Sequence, residues 1–419
     1  MKETRCRLHA CQSSLGRLRS SNQTLLIALT ILATAATIGH ADDASVSMNV
    51  SKIELAITRG ARFLVEQQHT DGTWRSKTYG LLKDGTSLTP LVLWSLPVSQ
   101  ATNPAREKGR AAMTDWIDRG NRPERLRILP QYPVYSAGLA IQVLDVSVTE
   151  GQKNEMVVWQ ELLMAHQLTE GNLWTANDVR FGGWSYSHEP TSKPAEGTSL
   201  SPLDEPNLSA TVFALEGLNA CPSIDRANNL RRLSALRFVE RCQNWQENSA
   251  PADVKFNDGG FHFLLADEVR NKPGVAGIDS AGQTRFRSYG STTADGLRAL
   301  LLCGMKPDHP RVVAARNWLI QHFQNGAHPG SYPADRAYLQ PSLDFYYAAS
   351  VARAFRQVQI DDSSLSQGRW ATRLADRLLT LQRKDGSWSN PAVDVREDDP
   401  LIATSFALRA LQDCVNELR

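Results

Sequence analysis

The 419 residues include 46 Lys and Arg against 44 Asp and Glu, with 42% hydrophobic residues, 27 Gly and 20 Pro. Such values exclude a disordered, collagenous or fibrous chain, and a formal charge of +2 offers no general electrostatic pull toward nucleic acid or an anionic membrane. The length suits two or three domains, or one large domain built from repeats.

Residues 1–23 carry Lys2, Arg5, Arg7, Arg17 and Arg19 against the single acid Glu3, and the uncharged segment 24–38 follows. A basic head before an apolar stretch is an export pattern. Its 15 residues are short for a spanning helix, which needs about 20, and the Gly39-His40-Ala41 step supplies small residues for a signal peptidase. Residues 1–41 therefore read as a signal peptide, with a membrane anchor over residues 24–38 as the alternative. Either way the globular part is expected to be exported, periplasmic or secreted. Cys6 and Cys11 leave with the leader. Of the remaining cysteines, Cys221, Cys303 and Cys414 each lie three residues after Leu218, Leu300 and Leu411, which predicts small buried side chains on equivalent helices. A Cys221–Cys242 bridge stays open at this point.

Next come the repeats. Ile53, Ile57, Ala61 and Leu64 form one helical stripe, and Asp71-Gly72 stops it with a residue that tolerates positive φ. The segment from Arg59 to Trp74 superposes on that from Arg373 to Trp388, with basic, apolar, Gln, Gly and Trp positions in register. Thr89 to Leu96, carrying Trp94, follows as a helix apolar on most faces. Residues 105 to 146 hold the weakest copy, Trp116-Ile117 and then Tyr135 to Leu144. Degenerate copies fill the middle: amphipathic stretches Val157–Leu168, Leu233–Trp245 and Val312–Phe323 lead to the turns Phe181-Gly-Gly-Trp184, Asp258-Gly-Gly-Phe261 and Pro329-Gly-Ser-Tyr332. After each turn comes an apolar helix: Ser209–Leu218 with Phe213, Ser291–Leu302, Leu343–Phe355 with Tyr346 and Tyr347. Ile402–Leu411, with Phe406, closes the series.

An amphipathic helix followed by a nearly apolar one predicts one layer at the surface and one inside. The chain thus reads as all-α: a single α6/α6 toroid, six two-helix repeats in two concentric layers, over residues 50–415. Its inner helices should run parallel and gather the positive ends of their dipoles at one end. The repeat step of roughly 63 residues exceeds the 34 to 47 or so of helix-pair solenoids.

The pattern basic-x-x-x-apolar-apolar-x-x-x-Gln-x-x-x-Gly-x-Trp resembles the QW repeat of squalene and oxidosqualene cyclases, and the body of the chain is similar to the prenyltransferase and squalene-cyclase toroids. The resemblance implies that Gln68, Gly72, Trp74, Gln382, Gly386 and Trp388 are structural staples of the repeat. It also sets two tests. Protein prenyltransferases hold zinc through Asp-x-Cys and a His in Asp-Phe-Tyr-His; here the strings read Ser291-Thr-Thr-Ala-Asp295-Gly296-Leu297 and Asp344-Phe345-Tyr346-Tyr347, so neither zinc nor another cofactor is expected. Class II cyclases use an Asp-x-Asp-Asp acid to protonate an alkene or epoxide, and that string does not occur in the chain.

The acids nearest that role are Asp398 and Asp399, before the last inner helix, and Asp344; each also suits a helix N-terminus. Trp94, Phe213, Tyr346, Tyr347 and Phe406 could line a cavity for an apolar polycycle or carbocation, or simply fill it. The expected function is binding or transforming an isoprenoid-like ligand in the central cavity. The alternative is a non-catalytic scaffold of the cell envelope, and the sequence leaves open whether the chain is an enzyme and whether it has a protein partner.

Overall fold

Local sequence sets where the helices start. Asp399 caps the last one by accepting from the Leu401 N–H at 2.9 Å with Pro400 at the first helical position, and Asn207 caps another by accepting from Ala210 N–H at 2.9 Å. The computed structural model describes residues 49–117, 126–144, 150–221, 226–248, 251–324, 326–360 and 369–419. The chain divides into Met1–Asn49 and a unit Val50–Arg419; the leader and its apolar segment 24–38 lie outside the described residues. Among the described residues no helix is long and apolar enough to cross a membrane.

Those residues form twelve α-helices: α1 (residues 49–66), α2 (Leu88–Ser95), α3 (Asn103–Asp115), α4 (Pro133–Leu144), α5 (Glu150–His166), α6 (Leu208–Ala220), α7 (Arg226–Arg241), α8 (Gly290–Leu302), α9 (Pro310–His322), α10 (Asp344–Val358), α11 (Trp370–Leu381) and α12 (Pro400–Leu418). Each even-numbered helix packs against the even-numbered helices before and after it, and α12 packs against α2, so these six close into a ring. Their buried faces supply much of one continuous hydrophobic core. One feature the sequence did not signal is an antiparallel hairpin, β1 (Val275–Ile278) and β2 (Thr284–Phe286), inserted between the Phe261 turn and α8. Cys221, Cys242, Cys303 and Cys414 are all buried, and Cys242 is a free thiol, so it forms no bridge to Cys221.

A single joint recurs between copies. Gln68 Nε2 donates to the Gly72 carbonyl at 2.9 Å and to the Ala105 carbonyl of α3 at 2.8 Å. Gln382 Nε2 makes the same pair of bonds to Gly386 and to Ala56 of α1, both at 2.9 Å, and so fastens the end of the ring to its beginning. Gln167 joins Gly182 to Arg231, and Gln243 joins Gly259 to Arg311, in the same way. The tryptophan then turns inward: Trp74, Trp184 and Trp388 are fully buried and donate from the indole to Leu64, Leu163 and Leu378 carbonyls at 2.7–2.8 Å.

The glycines of this joint are fixed by two conditions at once. Gly72, Gly182, Gly259 and Gly386 hold φ between +80° and +92°, and each faces the next outer helix at contact distance. At Gly182 an added Cβ would lie 1.8 Å from the Ser234 carbonyl oxygen. Gly182→Ala should therefore destabilise the fold by about 2–4 kcal/mol, strain in φ adding to overlap with backbone that cannot move aside. Thermal denaturation checks this, with Gly171→Ala, where an added Cβ meets open space, expected to be near neutral.

Candidate functional site

Every ring helix turns its first two turns toward one cavity of about 550 Å³. Leu88 and Leu91 of α2, Tyr135 and Leu139 of α4, Ser209 and Phe213 of α6, Ser291, Thr292 and Asp295 of α8, Tyr346 of α10, and Ile402 and Phe406 of α12 line it. The N-terminal ends of the six helices thus face the same space. The walls are largely aromatic: Phe213 contacts Tyr135 at 4.7 Å between centroids, Tyr346 meets Phe406 edge-on at 5.2 Å, and Tyr135 stacks on Tyr186 at 5.6 Å.

The floor is ionic. Arg298 of α8 donates to Glu216 of α6 at 2.6 Å and to Asp295, one turn back on its own helix, at 3.0 Å; Arg353 of α10 reaches the same Glu216 oxygen at 2.9 Å. Arg298, Glu216 and Asp295 are all nearly inaccessible to solvent. Burial alone would raise Glu216, but its two guanidinium partners outweigh it and hold the carboxyl below the ordinary value. Asp295 shares only the arginine that Glu216 already engages. Burial therefore wins there and raises its pKa, against Arg298, Ser350 and Tyr346. Two neighbouring carboxyls are pushed apart, one toward a fixed charge and one toward carrying a proton.

Asp295 Oδ1 accepts from Ser350 Oγ at 2.5 Å, and Oδ2 accepts from the Tyr346 hydroxyl at 2.7 Å. From Tyr346 a line of hydroxyls climbs the wall: Ser209 Oγ at 2.5 Å, Tyr135 at 2.6 Å, and Tyr186 a further 3.2 Å on.

The residues singled out from sequence fall in different places. Phe213, Tyr346 and Phe406 line the cavity. Trp94 lies against Phe213 and Phe406, each at 6.4 Å, with its indole N–H on Gln142, and is not among the lining residues. Tyr347 points elsewhere, packed edge-on to His328. None of the three candidate acids lines the cavity. Asp398 accepts from the Tyr79 hydroxyl at 2.5 Å, Asp399 caps α12 and accepts from Ser76, and Asp344 pairs with Arg377. Gln68, Gly72, Trp74, Gln382, Gly386 and Trp388 form the joints described above.

Asp295 was missed as a site residue, although it carried a signal: a carboxyl midway along an otherwise apolar inner helix, with arginine one turn later. Glu397 was missed too. Leu343 stands at the N-cap of α10 and has no polar side chain, so the Glu397 carboxyl, from the loop before α12, caps that helix by accepting from Tyr346 N–H at 2.7 Å and Phe345 N–H at 3.1 Å.

No protein-family model matches the chain, and no curated protein matches it either. Solved structures do. The type II terpene cyclase MstE from Scytonema, in complex with its substrate geranylgeranyl dihydroxybenzoate, superposes over 88% of this chain and 99% of its own, with a TM-score of 0.54 and 14% identity. Cellobiose 2-epimerase from Spirochaeta thermophila covers 89% of this chain and 97% of its own, at a TM-score of 0.54 and 13% identity. The GH76 α-mannanase BT2949 of Bacteroides thetaiotaomicron covers 86% and 95%, at 0.50 and 10%. The fold is a terpene-cyclase-like α/α toroid. At these identities the likeness establishes the architecture, which the cyclase shares with sugar-processing enzymes.

Within this toroid Glu397 gives a pH signature. Burial, prevailing over its N–H donors, lifts its pKa from 4.5 to about 8. A carboxyl that binds its proton more tightly in the folded state contributes stability present below its unfolded pKa and lost as pH rises through the folded one. The melting temperature should therefore fall between pH 5 and pH 8.5 by more in the wild type than in Glu397→Gln, which stays neutral throughout. Parallel pH profiles for the two proteins would show that the carboxyl is ionised across this range.

Proposed function

We propose that the chain is an exported protein whose residues 50–415 form six two-helix repeats in two concentric layers behind the leader, and that it takes an isoprenoid-like apolar chain into its central cavity and protonates an alkene there. The observation that carries this reading is Asp295: a buried carboxyl, pKa raised, at the floor of an aromatic-walled hollow and facing its interior. The geometry favours an occupied interior over a scaffold that works from its rim, because the hollow is open and large enough for a ligand of many carbons.

The chemistry follows from the parts. The Asp295 O–H bond breaks as its proton passes to an alkene carbon, and the carboxylate left behind is held by Arg298, Ser350 and Tyr346, all already in place. The cation formed on the ligand lies among the ring faces of Phe213, Tyr346 and Phe406, whose quadrupoles attract positive charge without reacting as a base would. Loss of a C–H proton from the cation to water at the open end of the cavity completes the product. Asp295 regains its proton from solvent by way of the Tyr346 hydroxyl, the O–H bonds of the Ser209–Tyr135–Tyr186 line reversing direction as the proton passes.

Support from the comparisons is a shared fold with a cyclase solved together with an isoprenoid substrate. The acid differs from the family's string: it stands alone on α8 and depends on Arg298 and Glu216 for its environment.

Asp295→Asn should lower product formation from polyprenyl substrates by at least ~100-fold, the ordinary worth of a general acid, while leaving binding of the same substrate within a few-fold. Mass spectrometry of products formed in D₂O checks the step directly, since each turnover should place one solvent-derived deuteron on carbon. Unchanged turnover in Asp295→Asn would remove the assignment.

A further inference from the structure

The cavity changes character toward its open end, where cations gather. Arg270 and Lys272 come from the segment before β1, and Arg396 from the loop before α12; all three line the mouth. Arg270 lies over the rings of Tyr186 and Phe263 at 5.4 and 5.7 Å, and Arg396 over Tyr79 and Tyr132, both at 5.3 Å. Tyr132 in turn meets Tyr186 edge-on at 6.4 Å, so the two guanidinium planes are joined by one aromatic bridge.

Arg270 Nη1 is buried and has no hydrogen-bond partner among the described residues. Leaving such a donor unpaired is costly, the more so for a charged group. Arg396 is held at φ +66°, in the left-handed region that a non-glycine residue rarely occupies, while its Nη1 donates to the Tyr132 hydroxyl at 2.5 Å. Lys272 is depressed in pKa by burial and then by Arg270, with Asp394 opposing. Against these three cations the mouth lining offers only Asp394, which is exposed, and Glu397, which burial keeps largely protonated near neutral pH. Six helix N-termini add their positive ends to the same side.

We infer that the mouth holds an anionic head, a carboxylate or phosphate, on a ligand whose apolar tail fills the aromatic cavity. Arg270, over Tyr186 and Phe263, keeps an unpaired N–H, and Arg396 is oriented by its bond to Tyr132; guanidinium groups fixed in this way suit contact to either oxyanion. This assignment rests on the reading of the cavity as an isoprenoid site and narrows it: the ligand is an amphiphile, its charged end fixed at the mouth and its tail directed to Asp295.

Binding of farnesol, farnesoic acid and farnesyl phosphate to the full chain tests it, by calorimetry at low and high salt. The two anions should bind at least tenfold more tightly than the alcohol, and the advantage should shrink as salt screens the mouth. Arg270→Gln combined with Arg396→Gln should erase the advantage and leave farnesol affinity within about twofold; should this variant fail to fold, the salt dependence of the wild type decides. Equal affinity of wild type for acid, phosphate and alcohol would overturn the anionic head and leave the isoprenoid reading standing. Inorganic pyrophosphate binding as tightly as farnesyl phosphate, with farnesol not binding, would point to an anion site without a lipid tail and overturn the amphiphile. If none of the four binds, both readings fall.

Discussion

The whole structure depends on one glutamine carboxamide repeated around the ring. A side-chain NH₂ has two donors, and at Gln68, Gln167, Gln243 and Gln382 one satisfies the carbonyl of the glycine turn while the other satisfies a carbonyl on the following outer helix. Each bond contributes only about 1 kcal/mol net, but geometry makes them more consequential than their energy. A copy and its successor are held at one fixed angle. When the last copy makes to α1 the same bonds that earlier copies make to their successors, the angle has closed on itself, and no helix pair needs a special terminal cap. Positive-φ glycine belongs to the same constraint, because only a turn without Cβ lets the loop carbonyl approach that helix closely enough.

Closure also explains why the interior is polar at both ends and apolar between them. Six helices pointing the same way present N–H groups at one end and carbonyls at the other. Toward the N-terminal end lie the mouth cations and the hydroxyl line. Deeper in, residues in the third turn reach the axis, and there Arg298, Glu216 and Arg353 cross-link three ring helices. Such a buried ionic layer is a weak contributor to stability, since desolvation opposes it, yet it leaves Asp295 with an incomplete share of positive charge. The same arginine that stabilises Glu216 as an anion therefore sets the protonation of its neighbour.

Much of the architecture was legible in the sequence because the joint leaves a fixed spacing: Gln68 to Gly72 to Trp74, and Gln382 to Gly386 to Trp388. Where insertions lengthen the turn, as between Gln167 and Gly182, the spacing dissolves although the two hydrogen bonds remain. A second recurrence shows in the sequence only as a shared Ala-Thr step at Thr211 and Thr404. Thr89, Thr211, Thr293 and Thr404 each accept from the backbone N–H of the turn aromatic, at 3.0–3.2 Å. Threonine is common in apolar helices, so only the contact reveals its role. The site was less legible than the fold for the same reason. Asp398, Asp399 and Asp344 stood out as acids near helix starts, and that position explains them structurally; Asp295 stood in the helix interior, where its meaning depends on which neighbours from α6 and α10 the ring brings beside it.

Charge separation is the hardest demand on a cavity of this kind. In the proposed reaction, moving a proton from Asp295 to a hydrocarbon would create an anion and a cation in a space with little water, where their attraction is strong but each has lost its solvation. The anion is met by donors already oriented, namely the Arg298 guanidinium, the Ser350 hydroxyl and the Tyr346 hydroxyl, and their orientation is enforced by three different helices rather than by the ligand. The cation has no such partner in solution and gains one only among aromatic faces. A cation formed beside Asp295 would lie among Phe213, Tyr346 and Phe406 rather than beside Arg270, Lys272 and Arg396, which would repel it. On this reading, the direction of the inner helices, fixed by how each turn delivers the chain inward, would determine at which end of the cavity a cation is tolerated and at which end an anionic head is held.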